Sequence, residues 1–372
     1  MNVEHLGQVF TETNIVERML VLKRNNGSVL EPSAGDGVFY NKLLGAVGIE
    51  IDPLHCPSGC LCIDFFDFDI NNKFNTVVGN PPYVAYKNIY PDTKNKLNIS
   101  IFDKRTNLYL FFIEKCLNHL EPGGEIIFIT PRDFLKATSA RKLNTSMYDF
   151  GTLTHFYETG DEVIFSSVAP NCAIWRFELG NMSHKTETNE GLKNQVLMDG
   201  QIAFTNEEYI IPFKELFFVK VGGVSGLDKI FTHSNGNYDF VCSHTRKTGK
   251  TKRMFYQVWN DYLLGYKDLL LARKIKQFNE NNWFEWGREH FWSDLPRVYV
   301  NCKTRLENPF FTHSCRQWDG AVLAVFCPSM VEEEAANLLN KVDWPELGFK
   351  VGGRYCFTQR SLENIKLPID FI

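Results

Sequence analysis

The sequence predicts an α/β domain followed by a mixed α+β domain. Three observations carry that prediction. Short apolar strands alternate with small-residue loops and helical stretches through residues 28–177, the pattern of a parallel sheet covered by helices. The first of these strands runs directly into a glycine-rich loop. Beyond residue 194 the texture changes to short apolar pieces separated by Gly, Asn and Ser turns, with many aromatics.

The elements follow in order. Thr11 or Thr13 precedes an amphipathic run to Leu22, a capped first helix. Ser28–Glu31 reads as a strand, Pro32-Ser33-Ala34-Gly35-Asp36-Gly37 as a tight loop and Val38–Leu44 as a helix. Glycines at 35 and 37 let backbone approach a ligand closely. Gly48–Asp52 is the next strand. Its Glu50 lies 19 residues after Glu31, near the spacing at which an acid meets a ribose diol. Leu61–Phe66 places Asp64 and Phe65 at a third strand end.

Val77-Val78-Gly79-Asn80-Pro81-Pro82-Tyr83 is a buried strand ending in a rigid loop, because two prolines cannot continue a ladder. Carboxyl ends of strands are where open α/β sheets hold ligands. The loop offers an amide (Asn80), a free carbonyl (Pro81) and an aromatic face (Tyr83), which suits an amino group on a planar ring. Tyr86–Arg105 is polar and irregular, a flap by composition. Asn107–Leu120 is a capped helix, Glu125–Thr130 a buried strand, and Leu153–Tyr157 and Cys172–Phe177 are strands. Asn181–Asn194 is almost devoid of apolar residues and reads as a linker. The expected division is 1–180, linker 181–194, and 195–372, where Glu332–Lys341 is a clear short helix.

Net charge is −4, unevenly spread: residues 241–276 hold nine basic residues and two acidic ones. Arg246, Lys247, Lys250, Lys252 and Arg253 are packed together, and Arg273 and Lys274 extend the patch. Such a patch suits phosphates. Trp283, Trp286 and Trp292 read as core. The ten cysteines form no paired zinc spacing; Cys56, Cys60 and Cys62 beside His55 lack a second pair. No metal is expected. No apolar stretch suits a signal or a membrane span, so the expected setting is the cytoplasm.

The N-terminal half, through about 170 residues, resembles the gamma-class amino-methylating DNA methyltransferases, the TaqI-like adenine-N6 group. Gly7–Thr13 resembles its first cofactor motif, Glu31–Gly37 its glycine loop, Gly48–Pro53 its ribose motif and Ile63-Asp64-Phe65 its adenine motif. Asn80-Pro81-Pro82-Tyr83 resembles its catalytic motif, and Val163-Ile164-Phe165 falls where it places a second base-contacting aromatic. Thr11 is followed by Glu12 where the family often has proline.

The resemblance implies a Rossmann-like S-adenosylmethionine-dependent methyltransferase domain and a C-terminal target-recognition domain. It implies cofactor contacts from Thr11, Glu31, Pro32, Ser33, Ala34, Gly35, Gly37, Glu50, Ile51, Asp64, Phe65 and Asn80. Catalysis falls to Asn80, Pro81, Pro82, Tyr83 and Phe165. The implied substrate is adenine in double-stranded DNA. The expected protein is a monomer of a restriction–modification system, with no stable complex to its cognate endonuclease. RNA adenine, cytosine-N4 and a catalytically dead DNA-binding module are the alternatives. The short N-terminal stretch and long C-terminal half argue against a protein-glutamine substrate.

Overall fold

A computed structural model describes Gly7, residues 11–160 and residues 171–372. The chain divides into two compact units, Met1–Glu207 and Glu208–Ile372.

The first unit is built on one large sheet. Its strands are β1 (Val29–Glu31), β2 (Val47–Glu50), β3 (Leu61–Cys62), β4 (Phe74–Gly79), β5 (Leu120–Pro131), β6 (Gly151–Glu158), β7 (Cys172–Leu179), β8 (Lys185–Thr188), β9 (Gly191–Met198) and β10 (Gln201–Thr205). Their spatial order is β10-β9-β8-β6-β7-β5-β4-β1-β2-β3. Strands β1 to β5 run parallel, and β7 lies antiparallel between β5 and β6. The chain leaves β1 toward β2 on one side and returns to β4 on the other, so a topological switch point falls between β1 and β4.

Central strands are buried on both faces because successive side chains point opposite ways. Val77, Ile126 and Phe128 enter one core with α3 (Leu108–Asn118). Val78, Ile127 and Ile129 enter the other with α1 (Thr13–Leu20). Two further helices, α2 (Pro91–Lys94) and α4 (Arg141–Phe150), complete the α-helices of this unit among the described residues. Asn107 caps α3 by accepting from the Tyr109 amide. At the end of the sheet opposite the β4 loop, the fully buried Glu125 carboxylate accepts from Arg176 Nε at 2.7 Å and Thr76 Oγ1 at 3.0 Å. It also takes the backbone amides of Arg24 and Asn25.

Three expectations change. The helix expected over Val38–Leu44 is a single 3-10 turn, Tyr40–Lys42, because Leu43 already takes extended geometry at φ −117° and ψ 90°. The Tyr86–Arg105 stretch is a built part of the unit: it contains α2 and buries Ile89, Leu97 and Phe102. The expected linker 181–194 contains β8 and the start of β9. These strands tolerate polar composition because their pairing groups serve the sheet. Thr186 donates to the Leu153 carbonyl, and the Gln195 side chain accepts from the Leu153 amide. The boundary therefore lies at Glu207/Glu208.

The second unit is mixed α and β, as its texture implies. Phe218–Val221, Val322–Phe326, Arg297–Asn301 and Phe310–Phe311 form an antiparallel sheet in that order. Tyr238–Phe240 pairs with Lys252–Met254 as a small hairpin. Trp283, Trp286, Trp318 and Trp344 are buried, whereas Trp292 is half exposed. No helix among the described residues is long and apolar enough to cross a membrane.

Candidate functional site

The site forms where β1, β2 and β4 end. The glycine loop after β1 folds back onto β2, with the Ala34 amide donating to the Ile49 carbonyl at 2.8 Å. Gly35 and Gly37 take positive φ (54° and 80°), which a side chain would oppose. The Gly35 amide donates to Glu50 Oε2 at 2.7 Å, and the Asp52 amide to Glu50 Oε1 at 2.8 Å. Glu50 is thus fixed at the end of β2 and, among the described residues, keeps one acceptor direction open on each oxygen.

Glu31 is 1% exposed at the end of β1. Among the described residues its Oε2 has no hydrogen-bond partner. Burial, aided by the charges of Asp36 and Glu50, pushes its pKa well above the carboxylate range. A cationic ligand group would relieve that burial cost.

Asp64 caps the 3-10 turn Phe65–Asp67, its Oδ1 accepting from the Phe66 amide at 2.9 Å. Its Oδ2 accepts from Thr93 Oγ1 at 2.8 Å and Lys96 Nζ at 3.1 Å. Phe65 is buried against Phe112, with ring centroids 5.0 Å apart. Below the turn, the buried Lys115 donates to the Phe65 and Phe68 carbonyls. Burial lowers the pKa of this ammonium.

The β4 loop is bonded to the other motifs. Ser33 Oγ donates to the Asn80 carbonyl at 2.9 Å, and Asn80 Nδ2 donates to Thr11 Oγ1 at 3.1 Å. Tyr83 donates its hydroxyl to the Ile129 carbonyl at 2.8 Å and meets Tyr109 edge-on at 5.8 Å. Gly7 lies so close that a Cβ there would stand 2.8 Å from the Tyr83 amide nitrogen.

A cavity opens among these groups. Pro32, Ser33, Gly35, Glu50, Ile51, Asp64, Phe65, Asn80 and Pro82, all expected from the sequence, line it. Thr11 joins through Asn80, and Ala34 holds the loop to β2. Pro81 and Tyr83 complete the loop. Phe165 lies outside the described residues. Ile89, Tyr90, Thr93, Leu108 and Phe112 also line the cavity and were not expected there. Pro91 at the start of a helical turn, between Ile89 and Leu97, was the available sign of order in that stretch.

The lining fits the implied donor: two carboxylates, Glu50 and Asp64, stand among aromatic walls, able to accept from hydroxyl and amino groups.

The basic residues of the second unit divide. Arg246, Lys247, Lys250, Arg253 and Lys274 are exposed. Arg253 is tied to the Gly236 carbonyl and to Asp239. Lys252 is held between Asp228 and Asp319 at 2.9 and 2.8 Å. Arg273 corrects the expectation outright. It is 8% exposed, donates to the carbonyls of Leu270, Ser225 and Trp283, and lies over the Phe278 ring. These bonds leave it no surface for a phosphate.

Residues 61–165 match the Eco57I restriction-modification methylase family. Methylases of this family use S-adenosylmethionine. The Type II methyltransferase M.HincII of Haemophilus influenzae is 30% identical over 222 residues, 56% of this chain and 44% of that one. M.TthHB8I of Thermus thermophilus is 30% identical over 197 residues, 47% of this chain and 45% of that one. The matches thus span less than half the length of these relatives. A class I S-adenosylmethionine-dependent methyltransferase structure from Listeria monocytogenes superposes with a TM-score of 0.39 at 18% identity, covering 47% of this chain and 63% of that one. Within the unit that carries the ordered motifs, this chain is thus similar to the restriction–modification methylase family that Eco57I typifies.

Proposed function

We propose that this chain methylates N6 of an adenine flipped out of double-stranded DNA, with S-adenosylmethionine as donor. One observation carries the reading. The Asn80–Tyr83 loop, at the end of β4, is hydrogen-bonded through Asn80 to Ser33 and Thr11, beside the cavity that holds Glu50 and Asp64.

S-Adenosylmethionine, when bound, supplies an electrophilic sulfonium methyl. Glu50 accepts from the ribose hydroxyls with its two open directions, and Asp64 accepts from the adenine amine while Phe65 packs on the ring. The buried Glu31 carboxylate answers the methionine ammonium. At the acceptor side, the Thr11 contact uses the Asn80 amide nitrogen, which orients the amide oxygen as an acceptor. That oxygen and the Pro81 carbonyl each accept one N–H of the target amine. Holding both hydrogens favours a more pyramidal nitrogen, able to attack in line. The work is positioning and electrostatics, and no strong base is required.

Tyr83 stacks on the flipped base; the second aromatic that the resemblance implies, Phe165, lies outside the described residues. Flipping costs a few kcal/mol, and stacking on an aromatic returns about 1–3 kcal/mol per base. The second unit reads the target, with Arg246, Lys247, Lys250 and Lys274 on phosphates. DNA is favoured by the relatives, which are named Type II methyltransferases. The setting is a bacterial restriction–modification system, with the methylase acting as a monomer in the cytoplasm apart from its endonuclease.

The test incubates the full chain and methyl-labelled S-adenosylmethionine with duplex DNA, RNA and protein separately, then identifies the modified base. N6-methyladenine in DNA is the expected product. Label confined to RNA or protein would sink the proposal. N4-methylcytosine would overturn the choice of base.

A further inference from the structure

We propose that Thr93 and Lys96 are positioning residues that make the donor site selective for a 6-amino purine, by fixing which acceptor direction Asp64 leaves open. The inference rests on the donor reading above.

A carboxylate offers about four lone-pair sites. Two on Asp64 Oδ2 are taken, by Thr93 Oγ1 at 2.8 Å and Lys96 Nζ at 3.1 Å. One on Oδ1 is taken by the Phe66 amide at 2.9 Å. Among the described residues a single site on Oδ1 is left, on a residue that lines the cavity. One acceptor matches one N–H of an exocyclic amine. A 6-oxo purine would bring an oxygen against it instead, and a polar pair of like kind in a desolvated site is costly.

The two donors are well placed for this role. Thr93 is buried and lines the same cavity. Lys96 bridges Asp64 and Asp67, so its ammonium balances both carboxylates. Without Thr93 and Lys96, Oδ2 would be free to accept, and the side chain could turn. Asp64 would then remain a carboxylate but lose its fixed aim. The stretch that carries both donors also contributes Ile89 and Tyr90 to the cavity wall, so wall and aim come from one segment.

The experiment measures calorimetric Kd values of the full chain for S-adenosylhomocysteine and S-inosylhomocysteine, which differ in the 6-substituent. Wild type should prefer the adenosyl compound; binding neither would refute the donor reading itself. In Thr93→Val and Lys96→Met the adenosyl Kd should rise about tenfold, the loss of one hydrogen bond to a charged group. The inosyl Kd should stay within about twofold, so the ratio narrows. Thr93→Ser, which keeps the hydroxyl, should restore it. Asp64→Asn should narrow the ratio most, because an amide can donate to a 6-oxo group. Variants that retain the wild-type ratio, or weaken both ligands equally, would overturn the proposal.

Discussion

Tyr83 carries two roles that substitution can separate. Its hydroxyl donates to the Ile129 carbonyl at 2.8 Å, and its ring, edge-on to Tyr109, is the proposed stacking face. Tyr83→Phe removes the hydroxyl alone. One neutral hydrogen bond contributes about 1 kcal/mol, and leaving the buried Ile129 carbonyl unsatisfied brings the loss toward 2. For a unit of this size that is a fall in Tm of about 2–8 °C. The ring stays, so kcat/KM on the mapped target duplex should stay within a few-fold. Tyr83→Ala removes the ring as well. Losing about 1–3 kcal/mol of base stacking lowers kcat/KM by about 5- to 150-fold. A duplex with 2-aminopurine at the target should brighten on binding wild type and Tyr83→Phe, and much less with Tyr83→Ala. If Tyr83→Phe lost as much activity as Tyr83→Ala while melting like wild type, the hydroxyl would be the working group and the stacking argument would fail.

Asn80→Ala should lower kcat by about a hundredfold or more, the usual cost of removing one preorganised polar contact. Calorimetry should find S-adenosylmethionine affinity changed far less, and an equal loss in both would reassign Asn80 to the donor. Arg273→Leu should lower the Tm and leave the salt dependence of DNA binding unchanged. Lys247→Ala with Lys250→Ala should instead reduce the slope of log K against log salt by about two, one per phosphate contact. His290 is buried against Trp292 and Trp318, and burial pushes its pKa down to about 4. The unfolded chain takes up that proton near pH 6.5, so stability is lost as pH falls from there toward 4. At pH 5 the loss is about 2 kcal/mol. Denaturant melts of His290→Leu should lack that loss, and parallel pH profiles for both proteins would exclude His290 as its source.

The first unit was legible because its signals are local. Strand ends, a glycine loop and a proline pair are written within a few residues, and β4 ends at Gly79, where the proline loop was expected to stop it. What could not be read was nonlocal. A polar run such as 181–194 looks like a linker until it is known that β6 lies beside β8. The donors to Asp64 come from about 30 residues downstream, and nothing at Asp64 announces them. Arg273 illustrates the limit for charge. As a sequence it extends a basic patch, yet its fork fits three backbone carbonyls, and only the fold brings those together.

The buried Glu125 has a wider consequence. It gathers Thr76 of β4, Arg176 of β7 and the amides of Arg24 and Asn25 at the end of the sheet opposite the candidate site. The buried anchor and the proposed catalytic loop therefore stand at opposite poles of the sheet. Removing either member of the Glu125–Arg176 pair would unbalance a buried charge, at about 3–5 kcal/mol, without touching the cavity. At the candidate-site pole the cost is smaller, about 2 kcal/mol for Tyr83→Phe. Specificity there can drift, in the laboratory or in nature, while the anchor at the far pole keeps the sheet intact.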